Sequence, residues 1–111
     1  MQAKHILIQS EGLGEGDDNL GSLLMANFLR LLAEKEEKPK TIIFWNTGVK
    51  LVCEGSQVLK HIQKLEEASV EILACTTCLE YFDLIDKLAI GKPTTMVKSI
   101  ESMFDGEFIA L

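Results

Sequence analysis

Four short apolar runs, separated by stretches with helical spacing, narrow the folds open to this chain more than any other feature. Lys4 to Gln9 is a β-branched run bounded by polar residues. Thr41-Ile42-Ile43-Phe44-Trp45 is apolar throughout, as a strand covered on both faces should be. Val70 to Ala74 and Glu107 to Leu111 are the other two. Between the first two, apolar residues at Leu20, Leu23, Leu24, Asn27/Phe28, Leu31 and Leu32 follow the i, i+3, i+4 spacing of a helix face. Asp17, Asp18 or Asn19 can cap that helix, which runs to about Glu36 before Pro39 stops it. A short helical piece is expected over Val49 to Cys53. Ser56 to Ala68 reads as a second long helix, with Val58, Leu59, Ile62 and Leu65 on one face. Leu79 to Leu88 reads as a third. A fourth, capped by Thr94 or Thr95, runs through Met103 with Met96, Val97, Ile100 and Met103 facing in. Ile90-Gly91-Lys92-Pro93 reads as a break and Asp105-Gly106 as a turn. Strands alternating with helices imply a mainly parallel sheet joined by right-handed crossovers. The expected fold class is therefore α/β: a three-layer Rossmann-like or flavodoxin-like domain with four to five strands.

A length of 111 residues fits one domain, and a 47% hydrophobic composition supplies a core without disulfide staples. The 11 basic and 17 acidic residues give a net charge of −6, which argues against a nucleic-acid partner because no basic surplus faces the phosphates. No apolar run approaches the roughly 20 residues of a membrane span. The start, Met1-Gln2-Ala3-Lys4-His5, lacks the layout of a signal peptide, so the expected location is cytoplasmic, with no membrane partner. Three cysteines do not suggest a secreted disulfide framework. In a reducing compartment a close cysteine pair points to redox, nucleophilic or metal chemistry.

That pair is Cys75-Thr76-Thr77-Cys78, at the end of the third strand and the start of a helix. The carboxyl ends of strands are where open α/β sheets bind ligands. Backbone N–H groups at a helix start favour the thiolate, the reactive form of cysteine. Thr76 and Thr77 can add hydrogen bonds and are too small to bury the sulfur. Two small core residues are the alternative reading. Zinc is disfavoured, because structural zinc takes four ligands and Cys53, His5 and His61 lack matching spacing. A thioredoxin-like dithiol would follow the first strand of its fold, not the third. No metal or other cofactor is expected. Gly12-Leu13-Gly14-Glu15-Gly16 sits where a phosphate loop would, yet Asp17 occupies the third glycine position and Glu11, Glu15, Asp17 and Asp18 would repel a pyrophosphate. It reads as a flexible loop. Cys53 reads as a packing residue, His61 as a surface histidine, His5 as a cap at a sheet edge, and Tyr81 and Phe82 as core. Asn46, Thr47 and Gly48 end the second strand and would share the carboxyl rim with Cys75.

Across nearly its whole length the chain resembles the DsrE/DsrF-like family, and most closely the DsrE-like C-terminal half of selenium-metabolism sulfurtransferase-like proteins. The residues that carry the likeness are Phe44-Trp45-Asn46-Thr47-Gly48-Val49-Lys50-Leu51, Gly55-Ser56-x-Val58-Leu59, and Glu71 through Phe82. Lys87-Leu88-Ala89-Ile90-Gly91 and Met96 continue it. The resemblance implies a single DsrE-like domain over residues 1–111 with a sulfurtransferase-like role in sulfur (or selenium) relay. It implies a persulfide on Cys75, with Cys78 stabilising or resolving it and the amides of Thr77 to Leu79 holding the anion. It also implies a homo-oligomer that works with sulfur donor and acceptor proteins. Those relatives carry a small cysteine-bearing domain ahead of this one; here the donor domain is expected to lie in a separate protein or in a longer form of the chain. Two other functions compete: a non-catalytic interaction or redox-sensing module, and a binder of small ligands at the Gly12–Asn46–Cys75 rim.

Overall fold

The computed structural model describes residues 3 to 111. Five strands form one sheet: β1 (Lys4–Ile8), β2 (Thr41–Phe44), β3 (Glu71–Cys75), β4 (Lys92–Thr94) and β5 (Glu107–Ala110), in the order β4-β3-β2-β1-β5. Every pairing is parallel. The helices are α1 (Asp18–Glu34), α2 (Leu59–Glu67), α3 (Thr76–Tyr81) and α4 (Met96–Met103), with 3₁₀ turns at Asn46–Val52 and Ile85–Lys87. The expected three-layer α/β class is the observed one.

Strand alternation divides the interior in two. Ile6, Ile8, Ile42, Phe44, Ile72 and Ala74 point to one face and form the larger core with Met25 and Leu29 of α1, Ile62 and Leu65 of α2, and Leu79 of α3. Leu7, Ile43 and Leu73 point to the other face, with Trp45 and Phe108 beside them. Among the described residues, α4 is the one helix on that second side, where Ser102 and Lys98 line a cavity with His5 and Thr41.

The inward faces of two helices differ from expectation. On α1, Gly21, Met25 and Leu29 are buried, while Leu20, Leu23, Leu24 and Leu31 stand exposed. The helix is apolar around most of its girth, so spacing alone does not choose the side that meets the sheet. A close backbone approach chooses it. A Cβ on Gly12 would lie 3.0 Å from the Gly21 carbonyl carbon, and the Leu13 N–H donates to the Gly21 oxygen at 3.0 Å. The glycine-rich loop is thereby fastened to the first turn of α1, which Asp17 caps by accepting from the Leu20 N–H at 2.8 Å. On α4, Ser99 and Ser102 face the sheet, and Met96, Val97 and Ile100 face out. Two small residues let α4 lie close over polar neighbours, and the Ser99 hydroxyl returns to the Thr95 carbonyl at 3.2 Å.

The expected break at Ile90–Pro93 overlaps the edge strand β4. Proline has no N–H to give a ladder and is tolerated at an edge. The third helix starts at Thr76, not Leu79, and ends at Tyr81, with Asp83 in the left-handed region (φ 57°) just beyond. Tyr81, expected in the core, is 83% exposed with its ring edge-on to Phe82.

Candidate functional site

At the exit of β2 the chain reverses sharply. Asn46 takes a left-handed conformation (φ 52°), and its side-chain oxygen accepts from the next N–H, that of Thr47, at 2.8 Å. Gly48 then passes against β1: a Cβ there would meet the Ile8 carbonyl oxygen at 2.6 Å, so no larger residue fits without movement. The Gly48 N–H closes the turn on the Trp45 oxygen at 2.9 Å. The turn leaves the Asn46 N–H pointing across to the first turn of α3, where it donates to the Cys78 sulfur at 3.0 Å.

Cys75 is the last residue of β3 and caps α3: its sulfur accepts from the Cys78 N–H at 3.4 Å. Cys75 is 7% exposed, Cys78 is half-buried, and all three cysteines are free thiols. Burial pushes the Cys78 thiol up. Its hydrogen bond with Cys75 adds to this, and the Asn46 amide pulls the other way. Each sulfur of the pair therefore has a backbone donor, and Cys78 holds its proton more tightly than an ordinary thiol. Such a pair can shelter an anionic sulfur and can close into a disulfide.

The other expected site residues divide. Thr76 and Thr47 are half-buried and Thr77 is exposed, all next to the pair. Gly48 is buried, with its N–H spent on Trp45. Leu79 points into the core, so its side chain lines no rim. Among the amides of Thr77 to Leu79, the Cys78 N–H is the one that reaches the Cys75 sulfur. Thr94, in register with Cys75 across the β3–β4 pairing, is a buried neighbour that the sequence reading passed over because it hid β4.

Two clefts open beside this rim. One, of about 380 Å³, lies between α1 and α2 and includes Met25, Lys50 and His61. The other, of about 460 Å³, includes Lys50, Cys53 and Phe82. Lys50 stands 4.9 Å over the Phe82 ring. Gly12, Asn46 and Cys75 line neither cleft. Cys53 is buried and donates to the Val49 oxygen at 3.2 Å, and burial together with Glu54 pushes its thiol up, so it packs as expected. His61 is half-buried and held below the usual histidine range by burial and by Lys60 and Lys64.

At the opposite end of the strands lies a cluster that the sequence reading missed. His5, expected as an edge cap, is 1% exposed in the interior strand β1. Its Nδ1 is 2.6 Å from the Thr41 hydroxyl and its Nε2 is 3.0 Å from Asp105. A carboxylate only accepts, so Nε2 donates to Asp105, and Nδ1 pairs with the Thr41 hydroxyl. Among the described residues, no three His, Cys, Asp or Glu side chains gather as a metal site would need.

Fold and site together define a small parallel-sheet α/β protein with a free cysteine pair at the carboxyl end of its third strand. Solved structures share the fold over the whole chain. The ychN protein from E. coli superposes with a TM-score of 0.75 at 15% identity, covering 100% of both chains. A protein of unknown function, MTH1491 from Methanobacterium thermoautotrophicum, gives 0.69 at 18% identity over 98% of this chain and 99% of its own. The conserved protein of unknown function BT1422 from Bacteroides thetaiotaomicron gives 0.67 at 18% over 97% and 94%. No family model and no curated protein sequence matches the chain. At these identities the likeness establishes the fold.

Proposed function

We propose that this chain is a sulfur (or selenium) carrier of the DsrE/DsrF-like kind, with Cys75 as the carrying residue. The observation that bears most weight is the pairing of two free thiols at the β3 exit, each sulfur accepting a backbone N–H. In this reading the Cys75 thiolate attacks the outer sulfur of a donor persulfide. A bond forms between Cys75 and that sulfur, the donor's S–S bond breaks, and the donor leaves as a thiolate. An acceptor thiolate can then take the outer sulfur and restore Cys75. Alternatively, the Cys78 thiolate attacks the inner sulfur: a Cys75–Cys78 disulfide forms and the outer sulfur leaves as hydrosulfide. That second route oxidises the two cysteines as it reduces the sulfur, and a dithiol must reset the pair.

The family resemblance also points to a homo-oligomer, and the outward face of α4 supports it. Val97 is 70% exposed and Phe104 87%, with Met96 and Ile100 exposed beside them. A second copy of the chain would cover this stripe. A non-catalytic interaction or redox-sensing module is the competing reading: the near-complete burial of Cys75 shelters its thiol from a donor. Intact-protein mass spectrometry after exposure to a persulfide donor decides between them. A reducible gain of one sulfur in the wild type and in Cys78→Ser, but not in Cys75→Ser, is the expected result. Loading that survives Cys75→Ser would remove Cys75 from the role, and no loading anywhere, with both thiols open to alkylation, would leave the sensing reading.

A further inference from the structure

Among the described residues, three that are not glycine adopt the left-handed conformation: Asn46, Ser69 and Asp83. Ser69 and Asp83 follow the ends of α2 and α3, where a left-handed residue is the usual way to stop a helix. Asn46 ends no helix. It joins a strand to a 3₁₀ turn, and its conformation costs about 1–2 kcal/mol for most side chains. Three contacts hold it there: its own side chain on the Thr47 N–H, the seat of Gly48 on the Ile8 carbonyl, and the Gly48 N–H on Trp45. The outcome of this constraint is one N–H aimed at the Cys78 sulfur at 3.0 Å. Backbone strain kept in place by its surroundings is a common mark of functional sites.

We propose that Asn46 is a positioning residue for the cysteine pair, its fixed N–H holding the Cys78 sulfur beside Cys75 and favouring the Cys78 thiolate at the moment Cys78 must attack. The inference rests on the reading of the pair as the reactive site and assigns a device to its resolving step. In that step the Cys78 thiolate bonds to the Cys75 sulfur, the Cys75–sulfur bond breaks, and hydrosulfide departs with the electron pair. Burial and the neighbouring sulfur both oppose ionisation of Cys78. The Asn46 N–H is the group that acts in the other direction, and it does so without a formal charge that would also attract solvent or wrong partners.

Three forms of the full chain test this: Asn46→Gly, which keeps the left-handed conformation; Asn46→Val, which disfavours it; and a backbone ester replacing the Trp45–Asn46 amide, which deletes the N–H while keeping the side chain and leaves the Trp45 carbonyl a weaker acceptor for the Gly48 N–H. Two readouts apply: the pH profile of iodoacetamide labelling at Cys78, followed by peptide mass spectrometry, and the rate of sulfide release from persulfide-loaded protein. Asn46→Gly, which keeps the N–H and the left-handed conformation but loses the side-chain bond to Thr47, is expected to stay closer to the wild type than the other two forms on both. The ester is expected to move the Cys78 labelling midpoint up by about one pH unit, leaving roughly tenfold less thiolate at a given pH below it, with a matching fall in sulfide release. Asn46→Val should shift the same way where it folds, and the ester decides the matter where it does not. An ester form that labels at the wild-type midpoint overturns the positioning role, even if the protein loads sulfur normally. A shifted midpoint in a protein that never loads sulfur would instead discard the carrier reading and keep the positioning of Cys78.

Discussion

His5 is buried, yet both of its ring nitrogens are paired, and the partners come from β2 and from the turn between α4 and β5. The clamp ties the β5 end of the sheet to its middle. The hydrogen bond from His5, and then the hydrogen bond and charge of Lys40, hold the Asp105 carboxyl below the usual carboxylate range. A carboxyl whose pKa is lower in the folded protein adds stability above its unfolded value of about 3.9, and that stability disappears as pH falls through the lowered folded value. Thermal unfolding midpoints should therefore drop on acidification through this window, and Asp105→Asn should flatten that part of the profile while lowering the midpoint at neutral pH. Because the carboxylate is exposed to solvent, added salt should shrink the difference. Equal pH profiles for the variant and the wild type would show that Asp105 carries none of the acid sensitivity. This cluster was not legible in the sequence: its hydrogen bonds span 36 and 100 positions, and no local pattern encodes them. Cys75, Cys78 and Asn46 were legible, because the end of an apolar run already places a residue on the carboxyl rim of a parallel sheet.

Elements were readable where one period dominated and unreadable where two faces were alike. β1, β2, β3 and β5 stand close to where their apolar runs put them. β4 was hidden by Gly91 and Pro93, which signal a turn in isolation. Here Gly91 adopts φ +86° against the Ile72 carbonyl, a Cβ there meeting that oxygen at 2.5 Å, and this lets the chain enter the edge position. α1 and α4 were found as helices with their inner faces misread. α1 is apolar around most of its girth, so spacing does not choose its side. α4 carries its most apolar stripe away from the sheet, so a search for the most apolar face selects the outer one. For α4 this gives a sharp expectation. Ser99→Leu should overpack the space above the sheet and cost about 1–3 kcal/mol in urea unfolding. Ser99→Ala, which gives up one local hydrogen bond, should cost about 1 kcal/mol or less. Equal stability for the Leu variant and the wild type would mean that Ser99 does not face the sheet.

The molecule as a whole is lopsided: three helices cover one face of the sheet and an eight-residue helix serves the other. The Cys75 side chain belongs to the three-helix side, where it packs in the larger core. The stripe of Met96, Val97, Ile100 and Phe104 belongs to the α4 side. If a second copy covers that stripe, the two subunits meet across the face opposite the cysteine pair, and association leaves the pair open to a donor. A stable contact of this kind needs about 800 Å² from each subunit, more than α4 alone offers, so further exposed surface on the α4 side should join it. The wild type should then elute as an oligomer, with a thermal midpoint that climbs with protein concentration, because association stabilises the folded form by mass action. Val97→Glu combined with Phe104→Glu should yield a monomer whose midpoint no longer depends on concentration. Both side chains are largely exposed, so their replacement should leave the fold of the single chain intact. Light scattering coupled to size exclusion gives the mass, and sulfur loading of the same fractions tells whether the two sides are independent. Loading that persists in the monomer places the reactive pair wholly within one subunit. Loading that disappears with the oligomer would put a partner's residues into the site, and a wild type that is monomeric at every concentration would remove the interface from α4.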